Sequence, residues 1–254
     1  MRGVDLRVVT LACEALLVAG VAVFLKSRRL GPEALWRVLT AFLPFLVFPY
    51  WHLRHELYEA PFWLLLFATL LSWRSAQVPT FALSLGLMAG THQWGWLFAP
   101  LLVLGFWRAH GFRRALLAGA GAALVGGAFL AAFVLPARHA FAEHVFGYFD
   151  EMMRAGTMHP MSLYVTYLFH KLGLTAALRP LQVAGQLVLW WVAFRHADRA
   201  DRMAAVLALS LTWHLLFNPV AWTYQYLPVV LLLLLGLCFG EAGVEAAAGP
   251  ARPG

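Results

Sequence analysis

The fold is decided by the uncharged stretch Ala115–Leu135, which reads ALLAGAGAALVGGAFLAAFVL. About 20 consecutive apolar residues in a helix cross the hydrocarbon core of a membrane, which is about 30 Å thick. The many Gly and Ala residues of this stretch allow the backbone of a neighbouring helix to approach closely. The stretch therefore predicts a transmembrane helix packed inside a bundle.

The composition of the whole chain agrees with this interpretation. Its 254 residues are 62% hydrophobic and 12% charged, with a mean hydropathy of +0.72. Soluble domains are about 45–50% apolar and about 25% charged, so the composition excludes that class. We predict an all-α, polytopic transmembrane bundle over residues 1–240, followed by a disordered cytoplasmic tail at 241–254.

Further uncharged stretches extend the bundle in both directions from Ala115–Leu135. We predict additional spans at Val8–Leu25, Ala34–Trp51, Phe62–Trp73 and Leu181–Phe194. Leu163–Leu172 is apolar but too short to cross a membrane. With the two interrupted stretches described next, we expect about eight helices, including short or re-entrant ones.

Two long uncharged stretches contain a break. Phe81–Trp107 is interrupted by Gly90-Thr91-His92-Gln93, which predicts two short helices meeting at a polar corner, with a single kinked span as the alternative. The stretch between Arg202 and Glu241 would form a helix of about 57 Å at about 1.5 Å per residue, far longer than a membrane is thick. A reversal is therefore required, and Asn218-Pro219 is the strong breaker near its middle.

The net charge of +7 lies in separate loops, which argues against a nucleic-acid partner. The basic groups are Lys26, Arg28, Arg29 and Arg37; then Arg108, Arg113 and Arg114; then Arg195, Arg199 and Arg202. Cytoplasmic loops of membrane proteins carry the excess of Lys and Arg. Placing all three groups in the cytoplasm puts Trp51–Pro61, Pro136–Ser162 and Asn218–Gln225 on the opposite side.

Several polar clusters lie on that opposite side. On a helix, His52, His55, Glu56 and Glu59 would share one face, as either a divalent-metal site or an interfacial turn with solvated charges. Because no recognised ligand signature is completed, we expect no metal there, and no cofactor in the protein. His92 at the polar corner is a functional candidate or a cap on open backbone groups.

Two other polar features accompany these clusters. The loop Pro136–Ser162 alternates charged and apolar residues at helical spacing, which is typical of an amphipathic helix in the membrane interface. Such a helix flanks a lipid-entry groove or simply covers the top of a bundle. Glu14 is an acidic residue within the first predicted span, without an obvious partner.

The segment 218–228 reads NPVAWTYQYLP and resembles the Ser-Pro-x-Ser-Trp-x-His-His…Pro signature of glycosyltransferase family 87. Pro219, Trp222 and Pro228 match, whereas Asn218, Ala221 and Tyr224-Gln225 stand where the family has Ser, Ser and the His pair. The order of other elements agrees: His92 stands where the family has a Lys at a helix corner, and Arg113-Arg114 matches a basic loop. Of the family's Asn-Gln-Ser-Leu, only Ser162-Leu163 remains. The resemblance covers about residues 6–235.

The resemblance implies a GT-C-type fold and an enzyme that uses a polyprenyl-phosphate sugar. The expected reaction transfers the sugar, typically mannose, to a glycan or glycolipid acceptor at the outer face of a bacterial cytoplasmic membrane. Membrane lipid and the donor are thus the implied partners. The donor-binding residues implied are His92, Asn218, Trp222, Tyr224 and Gln225, to which we add the neighbouring cluster residues His52 and His55.

The resemblance does not supply a general base within this chain. The family's catalytic Asp lies in a first outside loop, after a first helix, and this chain begins beyond both. Arg2 and Arg7 also oppose an outside amino terminus, so we expect a helix and loop upstream of Met1. We expect that upstream segment to supply the base; within the chain, Glu56 and Glu59 are the catalytic candidates, with Glu14 a further one. The alternative function is a non-enzymatic membrane protein, such as a transporter or an assembly subunit.

Overall fold

The computed structural model describes residues 6–28, 59–143, 164–218 and 227–240. The regular secondary structure of these residues is helical throughout. The α-helices are α1 Leu6–Ser27, α2 Glu59–Arg74, α3 Val78–Thr91, α4 Gln93–His110, α5 Phe112–Val134, α6 Arg138–Phe141, α7 Tyr164–Lys171, α8 Leu178–His196, α9 Ala200–Leu216 and α10 Leu227–Phe239, with a 3-10 turn at Thr175–Ala177. The predicted all-α class is confirmed.

The helix number differs from the sequence expectation. About eight helices were expected for the chain, and the described residues alone contain ten. The excess includes helices too short to cross a membrane, such as α6 with its 4 residues. Hydropathy does not detect such turns, because they add no long apolar run. The predicted span Ala34–Trp51 and the tail 241–254 lie outside the described residues.

Both interrupted stretches break where the sequence indicates. α3 ends at Thr91 and α4 begins at Gln93, with His92 alone between them, so the alternative of a single kinked span is wrong. α9 ends at Leu216 and α10 begins at Leu227, which brackets the reversal predicted at Asn218-Pro219. A polar triplet and an Asn-Pro pair thus end helices even in strongly apolar surroundings.

Two of the described helical segments are long and apolar enough to cross a membrane, Val8–Ser27 in α1 and Phe112–Val134 in α5. Val78–Thr91 and Pro228–Phe239 are shorter apolar helices. These segments indicate membrane association by their length and composition. The two long ones coincide with the predicted spans Val8–Leu25 and Ala115–Leu135.

Small residues bring α3 and α5 into close contact. A Cβ atom built on Gly86 would lie 2.7 Å from the carbonyl oxygen of Ala122, and one built on Gly126 would lie 2.9 Å from the carbonyl oxygen of Gly86. No side chain fits between the two backbones at this crossing. The close packing expected for the Gly- and Ala-rich helix is therefore confirmed, and α3 is its partner.

The carboxyl ends of α1, α2, α4 and α10 meet at one end of the bundle, which we call the basic end because the predicted basic groups with Lys26 and Arg108 lie there. Arg28 after α1 donates to the carbonyl oxygens of Phe239 (3.4 Å) and Gly240 (3.2 Å) at the end of α10. His110 at the end of α4 lies 2.6 Å from the carbonyl oxygen of Trp73 at the end of α2. These contacts join the carboxyl ends of four helices.

The remaining basic groups lie at this same end. The ring of Trp107, near the end of α4, lies 4.9 Å from that of Phe194 near the end of α8. Arg113 and Arg114 begin α5 after the single residue Gly111, and Arg199 and Arg202 lie at the start of α9. The described members of the three basic groups therefore lie at one end of the bundle, and their placement on one side of a membrane stays a prediction. The opposite end, which holds His92 and the start of α2, is called the corner end.

Candidate functional site

The corner at His92 is built by its own side chain. His92 has an extended backbone (φ −148°, ψ 143°), and its Nδ1 accepts a hydrogen bond from the backbone N–H of Trp94 at 3.2 Å. This bond satisfies a donor that the first turn of a helix leaves open. The capping role considered for His92 in the sequence is therefore confirmed.

A close approach of two backbones fixes the angle of this corner. A Cβ atom on Gly95 would lie 2.5 Å from both Cα of Ala89 and the carbonyl oxygen of Met88. Because a side chain at this position would collide with backbone atoms, glycine is required for α4 to leave α3 at this angle. The direction of the His92 side chain follows from that geometry.

The capping hydrogen bond also determines which nitrogen of the His92 imidazole carries the hydrogen. Since Nδ1 accepts the Trp94 N–H, the neutral ring carries its hydrogen on Nε2. No described residue accepts a hydrogen bond from this Nε2 atom. His92 thus combines a structural nitrogen with one N–H that can donate to a ligand.

Aromatic rings from α2 and α4 surround the His92 imidazole. Its centroid lies 5.1 Å from the ring of Phe62 and 4.6 Å from that of Trp94. Phe98 lies 5.9 Å from Phe62, and Trp63 lies 6.0 Å from Trp94. The corner is therefore walled by apolar rings, which exclude water and strengthen any hydrogen bond made there.

Glu59 lies at the same end, in the first turn of α2. It is only 8% exposed, and the Trp63 side chain hydrogen-bonds to its carboxyl group. Phe62 and Trp63 follow it at the three- and four-residue helical spacing, so they lie on the same helix face as Glu59. The alternative that this cluster consists of solvated charges is wrong for Glu59, because burial against aromatic residues removes it from water.

Carboxyl and imidazole groups held at one aromatic-walled end suit proton transfer and anion binding. A carboxylate can accept the proton of an attacking hydroxyl group. An imidazole N–H can donate a hydrogen bond to a phosphate oxygen. Glu59 and His92 lie at the same end of the bundle, where Phe62 contacts His92 and Trp63 contacts Trp94. Glu14 is a partly buried residue within α1.

The other predicted site residues lie partly outside the described ranges. His52, His55, Glu56, Trp222, Tyr224 and Gln225 are outside them. Asn218 follows α9, and its carbonyl oxygen accepts a hydrogen bond from Oγ1 of Thr166 at 3.2 Å. Thr166 also donates to the carbonyl oxygen of Leu216 at 3.1 Å, which fixes α7 to the end of α9. Across the described residues, no group of three or more His, Cys, Asp or Glu side chains could hold a metal ion.

Sequence reasoning missed a polar seam between α8 and α9. Oγ of Ser210 donates to Oε1 of Gln186 at 2.8 Å, and Nε2 of Gln186 donates to the Ser210 carbonyl oxygen at 2.9 Å. One turn away, Nε2 of Gln182 lies 2.9 Å from Nδ1 of His214. The signal was present: each of two consecutive apolar segments carries polar residues four positions apart, which places them on one helix face.

The comparisons with known proteins add no family assignment. No family model, curated protein or solved structure matches this chain.

Proposed function

We propose that this protein is a polytopic membrane protein with its basic end in the cytoplasm and its corner end at the opposite face. The outward surfaces of its helices support this, because they are apolar. In α10, Leu231 and Leu235 are buried in the bundle, whereas Val230, Leu233 and Leu237 are exposed. A helix that is apolar all round is typical of lipid surroundings, and the basic end agrees with the excess of Lys and Arg in cytoplasmic loops.

Within this class, the proposed activity is that of a glycosyltransferase, or a diverged or truncated relative. It transfers a sugar, with mannose the first candidate, from a polyprenyl-phosphate donor to a glycan or glycolipid acceptor on the outer face. The observation that carries the proposal is that buried Glu59 and the His92 Nε2–H donor both lie at the corner end. The resemblance of residues 218–228 to glycosyltransferase family 87 supplies the donor class.

Each group of the corner has a role in this reaction. The acceptor hydroxyl oxygen bonds to the sugar's anomeric carbon as the bond from that carbon to the phosphate oxygen breaks. The hydroxyl proton passes to the Glu59 carboxylate, and the released lipid phosphate keeps the bonding electron pair. His92 Nε2–H donates to that phosphate as its charge develops. The resemblance assigns Asn218, Trp222, Tyr224 and Gln225 to the donor site, and His52, His55 and Glu56 remain candidates that precede Glu59 in the sequence.

Transfer of radiolabelled mannose from polyprenyl-phosphate mannose, measured in membranes that contain the full chain, tests the proposal. We expect Glu59→Gln to lower transfer by about 100-fold or more, the lower range for loss of a general base. His92→Asn keeps a good helix-capping residue while removing the imidazole, and should also lower transfer. Asp198→Asn and His196→Ala, both exposed at the basic end, should retain it.

The same assay separates the proposed enzyme from the second candidate, a non-enzymatic polytopic protein such as a transporter or assembly subunit. The capping bond of His92 favours that candidate, because it gives one imidazole nitrogen a structural use. Absence of lipid-dependent transfer by the folded wild-type chain would count against the enzyme. Full transfer by Glu59→Gln would place the base elsewhere.

A further inference from the structure

A cleft opens at the basic end between α1, α2 and α3, far from the His92 corner. Its volume is about 520 Å³. It is lined by Phe24, Ala68, Leu71, Ser72, Arg74, Ser75, Gln77 and Thr80. Phe24, Ala68 and Leu71 form its apolar wall and the other lining residues its polar wall, and none of the described lining residues is acidic. The cleft therefore suits a ligand that is part anion and part hydrocarbon.

Arg74 supplies the charge of this cleft. Its guanidinium carbon lies 5.4 Å from the centroid of the Phe24 ring, and that of Arg28 lies 5.9 Å from the same ring. The ion pairs found among the described residues, Arg199–Asp201 and Arg202–Asp198, are elsewhere. Arg74 thus lies over an aromatic ring with no described carboxylate beside it, which gives the cleft a positive local potential.

Further hydrogen-bond donors flank Arg74 in the polar wall. Gln77 precedes α3 and makes no side-chain cap on it. The first hydrogen bond into this helix runs from Phe81 N to the Gln77 carbonyl oxygen at 2.9 Å, so the N–H groups of Val78 and Thr80 precede the helical ladder. The Ser75 hydroxyl group donates to the Leu71 carbonyl oxygen. The Arg74 guanidinium, the Gln77 side-chain amide and these N–H groups therefore remain as donors.

We propose that this cleft binds the phosphodiester head group of an anionic phospholipid. The phosphate oxygens accept hydrogen bonds from Arg74 and Gln77, and the first acyl carbons lie on the apolar wall of Phe24, Ala68 and Leu71. Charge-assisted hydrogen bonds to phosphate are among the strong ones in proteins. The cytoplasmic leaflet is the anionic one, and the proposed orientation puts the cleft there. This inference rests on the proposed membrane placement, and it is independent of sugar transfer.

Native mass spectrometry of the purified full chain in detergent tests the inference with phosphatidylglycerol and phosphatidylcholine as probes. We expect the anionic lipid to be retained in preference to the zwitterionic one. Arg74→Gln should weaken that retention about tenfold, the low end for loss of a charge-assisted hydrogen bond. Ser75→Trp, which keeps the charge but fills the cleft, should weaken it similarly. Arg195→Gln is the matched control, because Arg195 also lies over an aromatic ring, 5.8 Å from that of Trp191, outside the cleft.

A competition arm distinguishes a lipid head group from a free phosphate ion. Inorganic phosphate added at the concentration of the lipid should leave phosphatidylglycerol bound, because it gains nothing from the apolar wall. Displacement by phosphate, equal retention of the two lipids, or equal loss in the Arg74→Gln and Arg195→Gln variants would each overturn the inference. The lipid measurement does not depend on transferase activity. Its result can therefore be interpreted even if the protein does not transfer sugar.

Discussion

Single histidines at the two ends of the bundle join helices that meet there. His92 fixes the start of α4 through Nδ1, and His110 fixes the end of α4 to α2 through Nε2. The His92 nitrogen supplies an acceptor that the start of the helix lacks, whereas the Trp73 carbonyl oxygen bound by His110 also accepts from the backbone N–H of Ala76. The two residues differ in what remains: His92 keeps a donor directed away from its own cap, whereas His110 is packed between the rings of Trp73 and Phe106.

The protonation of His110 should make stability depend on pH. His110 lies at the basic end, beyond the uncharged stretch that ends at Trp107. Burial lowers its pKa below the ordinary 6.5; the hydrogen bond to the Trp73 carbonyl oxygen opposes this shift and nearby Arg114 adds to it. As the pH falls, the unfolded chain therefore binds a proton at His110 before the folded chain does. The stability that neutral His110 contributes is complete above about pH 6.5 and is lost as the pH falls below that value.

We expect the melting temperature in detergent to fall less steeply between about pH 7 and about pH 5 in His110→Gln than in the wild type. The glutamine amide can still donate to the Trp73 carbonyl oxygen, which preserves the contact without the titration. Arg113→Gln, a charge change on an exposed residue of the same end, serves as control and should keep the wild-type slope. Parallel pH profiles for His110→Gln and the wild type would refute the assignment.

Helices of this bundle meet through two different kinds of contact. α3 and α5 meet backbone to backbone at Gly86 and Gly126. α8 and α9 meet through side-chain hydrogen bonds, chiefly the reciprocal pair of Gln186 and Ser210. Small residues and interhelical hydrogen bonds are the two means by which helices associate in lipid, where the hydrophobic effect between them is weak.

The crossing of α3 and α5 offers a matched pair of substitutions. Gly126→Ala places a methyl group 2.9 Å from the Gly86 carbonyl oxygen, whereas Gly127→Ala meets nothing within 4 Å. We expect Gly126→Ala to lower the free energy of unfolding by about 1–3 kcal/mol through overpacking. Gly127→Ala should be neutral or stabilising by up to about 1 kcal/mol, since alanine favours the helix.

Thermal unfolding of the two single variants in the same detergent measures this difference. Size-exclusion chromatography confirms that both remain monodisperse before heating. If the two substitutions change the melting temperature equally, the backbone contact at Gly86 does not hold the helices together.

At the scale of the molecule, the helix directions separate a basic end from a corner end. α5 connects them, and its 23 residues span about 35 Å at about 1.5 Å per residue, enough to cross the hydrocarbon core. Arg113 lies near its start, and Arg138 lies just beyond its end. Both residues are exposed, so they can report on which side of a membrane each end lies.

Cysteine labelling of intact cells tests the predicted orientation. In a chain whose Cys13 and Cys238 are replaced by Ala, a membrane-impermeant maleimide should label Arg138→Cys on intact cells. It should reach Arg113→Cys only after the cells are permeabilised, because the proposed orientation puts that residue in the cytoplasm. Labelling of both positions from the same side would remove the proposed active-site face.

Much of this architecture follows from apolar length and helix breakers. The stretch Ala115–Leu135 predicts α5, and the triplet around His92 predicts the corner, because both depend on neighbours in sequence. The burial of Glu59 and the pairing of Gln186 with Ser210 do not follow in this way. They depend on which helices pack side by side, and a polar residue in an apolar run does not reveal its partner in another helix.

The contact between Arg28 and the end of α10 bears on the order of assembly. Its partners, Phe239 and Gly240, are separated from it by 211 and 212 residues. An early-inserted helix must therefore wait until the ribosome has delivered α10 before its arginine reaches these carbonyl groups. In the proposed membrane setting, the bundle lacks this contact until then, so the interval between the first and last insertions is the period when mispairing with another membrane protein is easiest.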